Sequence, residues 1–168
     1  VEAQIVNALA QPLLRPGQRE INLKVIEPDF SVARLGHVVT VSKGERHLRL
    51  WAPVRGKGRA IKRYRIAVGA PSFPTPSGRF WITNMQVNPW WYPPDSDWAE
   101  GQEPVPPGPS NPLGTRWMGL NRDNIGIHGT PNSGSLGTYA SHGCIRMWIP
   151  AAEELYSIVR VGTPVVIY

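Results

Sequence analysis

The sequence predicts a mainly β domain with one short helix near its C-terminus and a long Pro- and Trp-rich loop in its middle. Three observations predict it. Short β-branched or alternating runs, at 37–42, 46–51, 63–68 and 79–83, are separated by turn-forming segments, the pattern of strands joined by turns. A single helical apolar face, formed by Ala151, Leu155, Ile158 and Val159, occurs near the end of the chain. Between 88 and 114, Pro and aromatic residues replace any periodicity.

Taken in order, the chain opens with a mixed segment, 1–35, in which 21–26 alternates and then runs apolar before Pro28 and Asp29 close it. That is a strand signal. Run 37–42 follows Gly36, and Gly44-Glu45 joins it to 46–51 as a hairpin. In 46–51, Leu48 and Leu50 fall on one side and His47, Arg49 and Trp51 on the other. Run 63–68 is a third strand, Pro74-Thr75-Pro76-Ser77-Gly78 a turn, and 79–83 a fourth strand.

Segment 88–114 contains Trp90, Trp91, Tyr92 and Trp98 among many prolines. Long loops without secondary structure of their own are functional or disordered. Aromatic residues are costly to leave in water, so an ordered lid or wall beside a site is expected. Two further strands follow, 116–120 and 125–128, and then the helix. Pro150 suits its first turn, and Glu153 and Glu154 suit its positive end. Arg160 suits its negative end and Gly162 its stop, and 163–168 is a last strand.

At 168 residues the chain suits one domain with a small appendage. No run is long and apolar enough to span a bilayer. The chain starts at Val1 with no charged-then-apolar leader, so a leader, anchor or domain is expected upstream. Lys and Arg total 18 against 12 Asp and Glu, a net charge of +6, which favours an anionic partner. The cations are dispersed except at 55–65, and no nucleic-acid-binding motif accompanies them.

The one cysteine excludes an intramolecular disulfide. A lone Cys is usually packing, but Cys144 stands in Ser141-His142-Gly143-Cys144-Ile145-Arg146, and Gly and Arg are poor core neighbours. A cation nearby favours the reactive thiolate. Gly143 lets backbone and substrate approach the sulfur, and the amides of Gly143 and Cys144 are candidate oxyanion donors. His128, in Gly126-Ile127-His128-Gly129-Thr130, lies on a run that would sit beside Cys144 if the two strands are neighbours. A Cys–His pair is the minimal nucleophile and base. His142 is the alternative base or a pocket wall. His37 and His47 lack such context and read as surface residues. The spacing of His128, His142 and Cys144 matches no zinc pattern.

These residues resemble the L,D-transpeptidase catalytic domain, the YkuD-like family. Its pattern is a His-Gly pair, a variable stretch, then Ser-x-Gly-Cys-x-Arg. His128-Gly129 and Ser141, Gly143, Cys144 and Arg146 match it position for position. The segments 74–80, 111–114 and 161–167 also fit, so the resemblance covers 36–168. It implies an L,D-transpeptidase-like β-sandwich for 36–168. Residues 1–35 are an N-terminal extension that resembles the tail of a preceding wall-binding domain.

The resemblance also implies roles. Cys144 attacks the carbonyl at the L-centre of residue 3 of a peptidoglycan tetrapeptide stem, and D-Ala leaves. His128 takes the thiol proton, and the Gly129 carbonyl orients its ring. The amides of Gly143, Cys144 and His142 hold the oxyanion. Arg146 and Ser141 bind substrate, with Trp117 and Tyr139 as candidate pocket walls. An acceptor amine then takes the acyl group, giving a 3→3 cross-link, with neither cofactor nor metal. The implied partners are donor and acceptor stems in an anionic bacterial wall, outside the cytoplasm. Two rivals stay open: an L,D-carboxypeptidase using water, and a peptidoglycan-binding module without turnover.

Overall fold

The computed structural model describes residues 36–52 and 58–168. The expected strand at 21–26, the extension 1–35 and part of the basic run 55–65 lie outside them. Strands β1 (Val38–Ser42) and β2 (His47–Ala52) form the expected hairpin. Their alternation buries Val39, Val41, Leu48 and Leu50 completely. Arg46 turns the hairpin with φ 53, and its N–H donates to Lys43 O at 3.2 Å.

Strands β3 (Arg59–Gly69) and β4 (Gly78–Val87) are longer than their apolar runs. Each serves two sheets. The first part of β3 pairs with β2 (Arg49↔Arg63), and its end pairs with β8 (Ile145–Trp148) at Ile66↔Met147. The first part of β4 pairs with β9 (Pro164–Ile167), and its end pairs with β5 (Arg116–Leu120). With β6 (Gly126–Thr130) between β5 and β8, the order β2-β1-β9-β4-β5-β6-β8-β3 returns to β2. The result is a β-sandwich whose two long strands cross from one sheet to the other. The short β7 (Tyr139–Ser141) adds to the end of β3.

One apolar cluster fills the interior, joining Val39, Val41, Leu48 and Leu50 to Ile127, Ile145 and Met147. The helix α1 (Ile149–Ile158) leaves β8 directly, with Pro150 in its first turn. It packs on β5, β6 and β8. All five residues of β6 are buried, because the strand is covered on both faces.

Three details of the helix differ from expectation. Its fully buried residues are Ala152 and Leu155, with Val159 just beyond, while Ala151 and Ile158 are only partly covered. Its abrupt start from β8 fixes the rotation about its axis. Glu153 and Glu154 tie the helix sideways instead of serving its end. Glu153 accepts from Thr115 Oγ1 at 2.7 Å, and Glu154 from Lys62 Nζ at 2.6 Å and Tyr64 Oη at 2.9 Å. Gly162 lies past the helix, in the turn to β9, with φ 88 and its N–H on Ile82 O at 2.8 Å. No described helix is long and apolar enough to cross a membrane.

Candidate active site

Strand register puts three of the expected residues in one row. His128 on β6 is the partner of Trp117 on β5 and of Arg146 on β8. Cys144 immediately precedes β8, beside the start of β6. His128, Cys144, Arg146, His142, Ser141 and Trp117 all line one groove of about 1410 Å³.

His128 is buried, and its Nδ1 lies 2.6 Å from Gly129 O. A carbonyl only accepts, so Nδ1 carries the hydrogen and Nε2 is left with its lone pair. Burial is the main cause that lowers the His128 pKa to about 4, and the charge of Arg146 adds to it, against the Gly129 hydrogen bond. The imidazole is therefore neutral and able to take a proton at neutral pH. Gly129 is tightly packed: a Cβ would lie 3.1 Å from Ile149 Cγ1 at the start of the helix, so that side chain would have to give way.

Cys144 is partly buried, and its thiol donates to Asn124 O at 3.2 Å. Burial pushes this thiol up to about 11, while the Gly126 backbone and Arg146 pull the other way. The site thus rests as neutral thiol and neutral imidazole.

The nucleophile's turn is built by hydrogen bonds. Ser141 Oγ donates to Cys144 O at 2.6 Å and accepts from Gly143 N at 3.2 Å. Thr75 Oγ1 donates to Gly143 O at 2.8 Å and accepts from Gly69 N at 2.7 Å. Gly143 has φ 112, a region that suits glycine. Of the three expected oxyanion donors, the Gly143 amide is thus engaged by Ser141. Ser141, itself buried, holds the turn together.

His142 packs against two aromatic residues. Its ring stacks on Trp98, with centroids 3.9 Å apart and planes 9° from parallel, and tilts against Phe73 at 4.8 Å. Burial and Arg146 hold its pKa below the usual histidine value. Trp98 comes from the long loop, so segment 88–114 does reach the groove. The loop is organised around buried Asn111. Its Nδ2 donates to Pro89 O at 2.9 Å and to Val105 O and Pro106 O at 3.1 Å each, and its Oδ1 accepts from Leu113 N at 2.8 Å.

Trp117 is fixed from two sides. Its Nε1 donates to Asn84 Oδ1 at 2.9 Å, and its six-membered ring covers Gly126, where a Cβ would come within 2.4 Å of Cη2. Tyr139 is a correction to the expected pocket. It sits on the edge strand β7 with Arg46 over its ring at 5.3 Å, and it does not line the groove. β7 pairs beyond the point where β3 leaves β8, so its outward residue faces the β1–β2 turn.

Asn84, Thr75, Asn111 and Asn124 are absent from the site read in the sequence. Thr75 and Asn111 belong to segments 74–80 and 111–114, so those motifs carried a signal. Asn84 and Asn124 had none, because their contacts are made across strands.

Known proteins with this arrangement were found by both sequence and structure. The sequence model of the L,D-transpeptidase catalytic domain, YkuD, matches residues 36–167. A putative L,D-transpeptidase YkuD of Bacillus licheniformis is 35% identical over 157 residues, covering 93% of this chain and 81% of that protein. The putative L,D-transpeptidase YkuD of Bacillus subtilis is 39% identical over 109 residues, covering 65% of this chain and 54% of that one. Among solved structures, the L,D-transpeptidase of Mycobacterium smegmatis superposes with a TM-score of 0.63 at 19% identity, over 79% of this chain and 58% of that one. L,D-transpeptidase 3 of Mycobacterium tuberculosis, solved with a faropenem-derived adduct, gives 0.61 at 18% identity, over 79% and 60%. The chain thus spans about three-fifths of these two structures' chains, and the likeness to them is one of fold. The matched domain, the register of His128 with Arg146 and the position of Cys144 agree on one assignment, and the chain belongs to the YkuD family of L,D-transpeptidase catalytic domains.

Proposed function

We propose that the chain is a cysteine acyltransferase that forms 3→3 cross-links between peptidoglycan stems outside the cytoplasm. The observation that supports this reading is the His128–Gly129 hydrogen bond, which leaves the Nε2 lone pair available as a base in the groove that Cys144 also lines.

The Cys144 thiol gives its proton to His128 Nε2, and its electron pair forms a C–S bond to the L-centre carbonyl of stem residue 3. The carbonyl π pair moves to oxygen. The amides of Cys144 and His142 are the donors for that oxyanion, and the Gly143 amide joins them if Ser141 releases it. The intermediate collapses with cleavage of the C–N bond, and His128 returns the proton to the departing D-Ala amine. An acceptor amine then attacks the thioester, loses its proton to His128, and releases the Cys144 thiol. Arg146, in the same row as His128, binds a stem carboxylate. Trp117 and the aromatic residues of 88–114 hold the flexible stem. The net charge of +6 draws the protein to an anionic wall.

The test is product analysis on disaccharide-tetrapeptide with and without a second stem as acceptor. Release of D-Ala with a dimer linked through residue 3 is expected. Tripeptide as the sole product would make it an L,D-carboxypeptidase. Binding without D-Ala release or acylation would make it a binding module.

A further inference from the structure

The hairpin between β5 and β6 reaches the nucleophile, although it lies outside the Ser141–Arg146 motif. Asn124 has φ 58, a left-handed conformation that asparagine tolerates better than most residues. In that conformation its carbonyl accepts the Cys144 thiol at 3.2 Å. The hairpin is braced. Leu120 N donates to Ile125 O at 2.9 Å, Asn121 N to Trp81 O at 3.1 Å, and Trp81 N to Asn121 Oδ1 at 2.9 Å. Ile125 lies against the nucleophile's turn, where a Cβ on Gly143 would come within 2.8 Å of Ile125 Cδ1. The backbone of Gly126 favours the charged form of the sulfur. Three consecutive residues therefore hold the sulfur or its turn.

Two of these contacts favour opposite states. A carbonyl oxygen accepts from S–H and repels S⁻, whereas an amide N–H does the reverse. We propose that Asn124 is a positioning residue for the nucleophile: its left-handed turn parks Cys144 as a neutral donor, and loss of the proton to His128 moves the sulfur from the Asn124 carbonyl to the Gly126 amide. In that step the S–H bond breaks, the proton goes to Nε2, and the electron pair stays on sulfur. Parking keeps the thiol unreactive until a bound stem draws it towards the base. The inference rests on the thiol chemistry proposed above.

Two measurements test it. The protein has one cysteine, so its infrared spectrum holds a single S–H stretching band. That band is expected below the frequency of a free thiol in wild-type protein. A band at the free-thiol frequency would overturn the proposal without any variant. The second measurement is the pH midpoint for alkylation of Cys144 by iodoacetamide. Asn124→Gly keeps both the turn and the carbonyl, because glycine adopts positive φ freely, and its midpoint should match wild type. Asn124→Val cannot hold φ 58 without strain. Its midpoint should fall by about half a unit to one unit, the worth of one lost hydrogen bond to the thiol form. A folded Asn124→Val protein with the wild-type midpoint would overturn the proposal, and if that variant does not fold, the infrared band decides. Neither readout uses a stem peptide. A protein that passes both and makes no cross-link would refute the proposed function and leave the role of Asn124 standing.

Discussion

The indole of Trp117 lies against the imidazole of His128, with ring centroids 5.9 Å apart and planes tilted by 31°, because the two are register partners across β5 and β6. Gly126 and Gly119 make this possible. A Cβ on Gly126 would come within 2.4 Å of the indole, and one on Gly119 within 2.9 Å of its Nε1. Gly126→Ala should therefore push Trp117 off its seat. Overpacking of this kind costs about 1–3 kcal/mol. Displacing the neighbour of a base should also slow acylation by roughly tenfold or more, since small misplacements at a reacting centre are expensive. Thermal unfolding and an acylation time course measure the two effects. Lost stability with an unchanged acylation rate would make Trp117 a packing residue only.

His128 and His142 should separate by size of effect. His128 has its Nδ1 committed to Gly129 O, whereas His142 stacks on Trp98 and tilts against Phe73. His128→Ala should lose roughly 10²-fold or more in acylation rate, the usual worth of a positioned base. His142→Ala should lose less, and its deficit should fall mainly on stem binding. The reverse order in single-turnover kinetics would exchange their roles.

Acid should weaken the native state through His128. Its pKa is about 4 in the fold against an ordinary 6.5. Between those values the unfolded chain binds a proton that the native one does not, so stability falls as pH drops from 6.5 to 4 and this contribution then levels off. The full span is worth about 3 kcal/mol. Denaturant titrations across the window should show this loss in wild type and a shallower one in His128→Gln. Equal slopes would mean that His128 is not held neutral by burial.

A carbapenem should acylate Cys144. The sulfur attacks the strained lactam carbonyl, the C–N bond opens, and the whole drug stays attached. Intact-mass spectrometry should show one adduct in wild type and none in Cys144→Ala. The variant should unfold near the wild-type temperature, because removing one partly buried sulfur costs on the order of 1 kcal/mol or less. An adduct that persists in the variant would reassign the nucleophile.

The sequence made some of this visible for definite reasons. Alternation revealed β1 and β2, since Val39, Val41, Leu48 and Leu50 face the core while His47 and Arg49 do not. It revealed only parts of β3 and β4, whose solvent-facing portions carry residues such as Lys62, Arg63, Asn84 and Gln86. β7 and β8 are too short, at 3 and 4 residues, to leave a periodic trace. The placement of His128 and Cys144 in one groove was legible because both stand in dense local motifs. The roles of Asn84 and Asn124 were not, because a hydrogen bond between distant strands writes no local pattern. Tyr139 misled for the same reason: nearness in sequence to Cys144 does not fix which edge a strand joins.

The long loop should act on stem peptides without being needed for thiol reactivity. Three observations support this. Trp98 stacks on His142, two residues from the nucleophile. Trp90, Trp91 and Trp98 line the groove that holds Cys144. Buried Asn111 ties 89, 105 and 106 together through its amide, beside the reciprocal backbone hydrogen bonds of Trp91 and Val105, so the loop is ordered without a helix or long strand. The many prolines reduce the entropy that such ordering costs. Asn111→Ala removes all four of its side-chain hydrogen bonds and leaves the carbonyls of Pro89 and Pro106 to find water, while Val105 O keeps the Trp91 amide. The sandwich lies outside this loop, so the variant should stay folded while Trp98 loses its fixed place over His142. Cross-linking of stems should fall at limiting substrate, with iodoacetamide alkylation of Cys144 nearly unchanged. Trp98→Ala, which leaves the Asn111 knot in place, should reproduce part of the loss. If both variants handle stem peptides like wild type, the segment caps the end of the sheets and takes no part in binding.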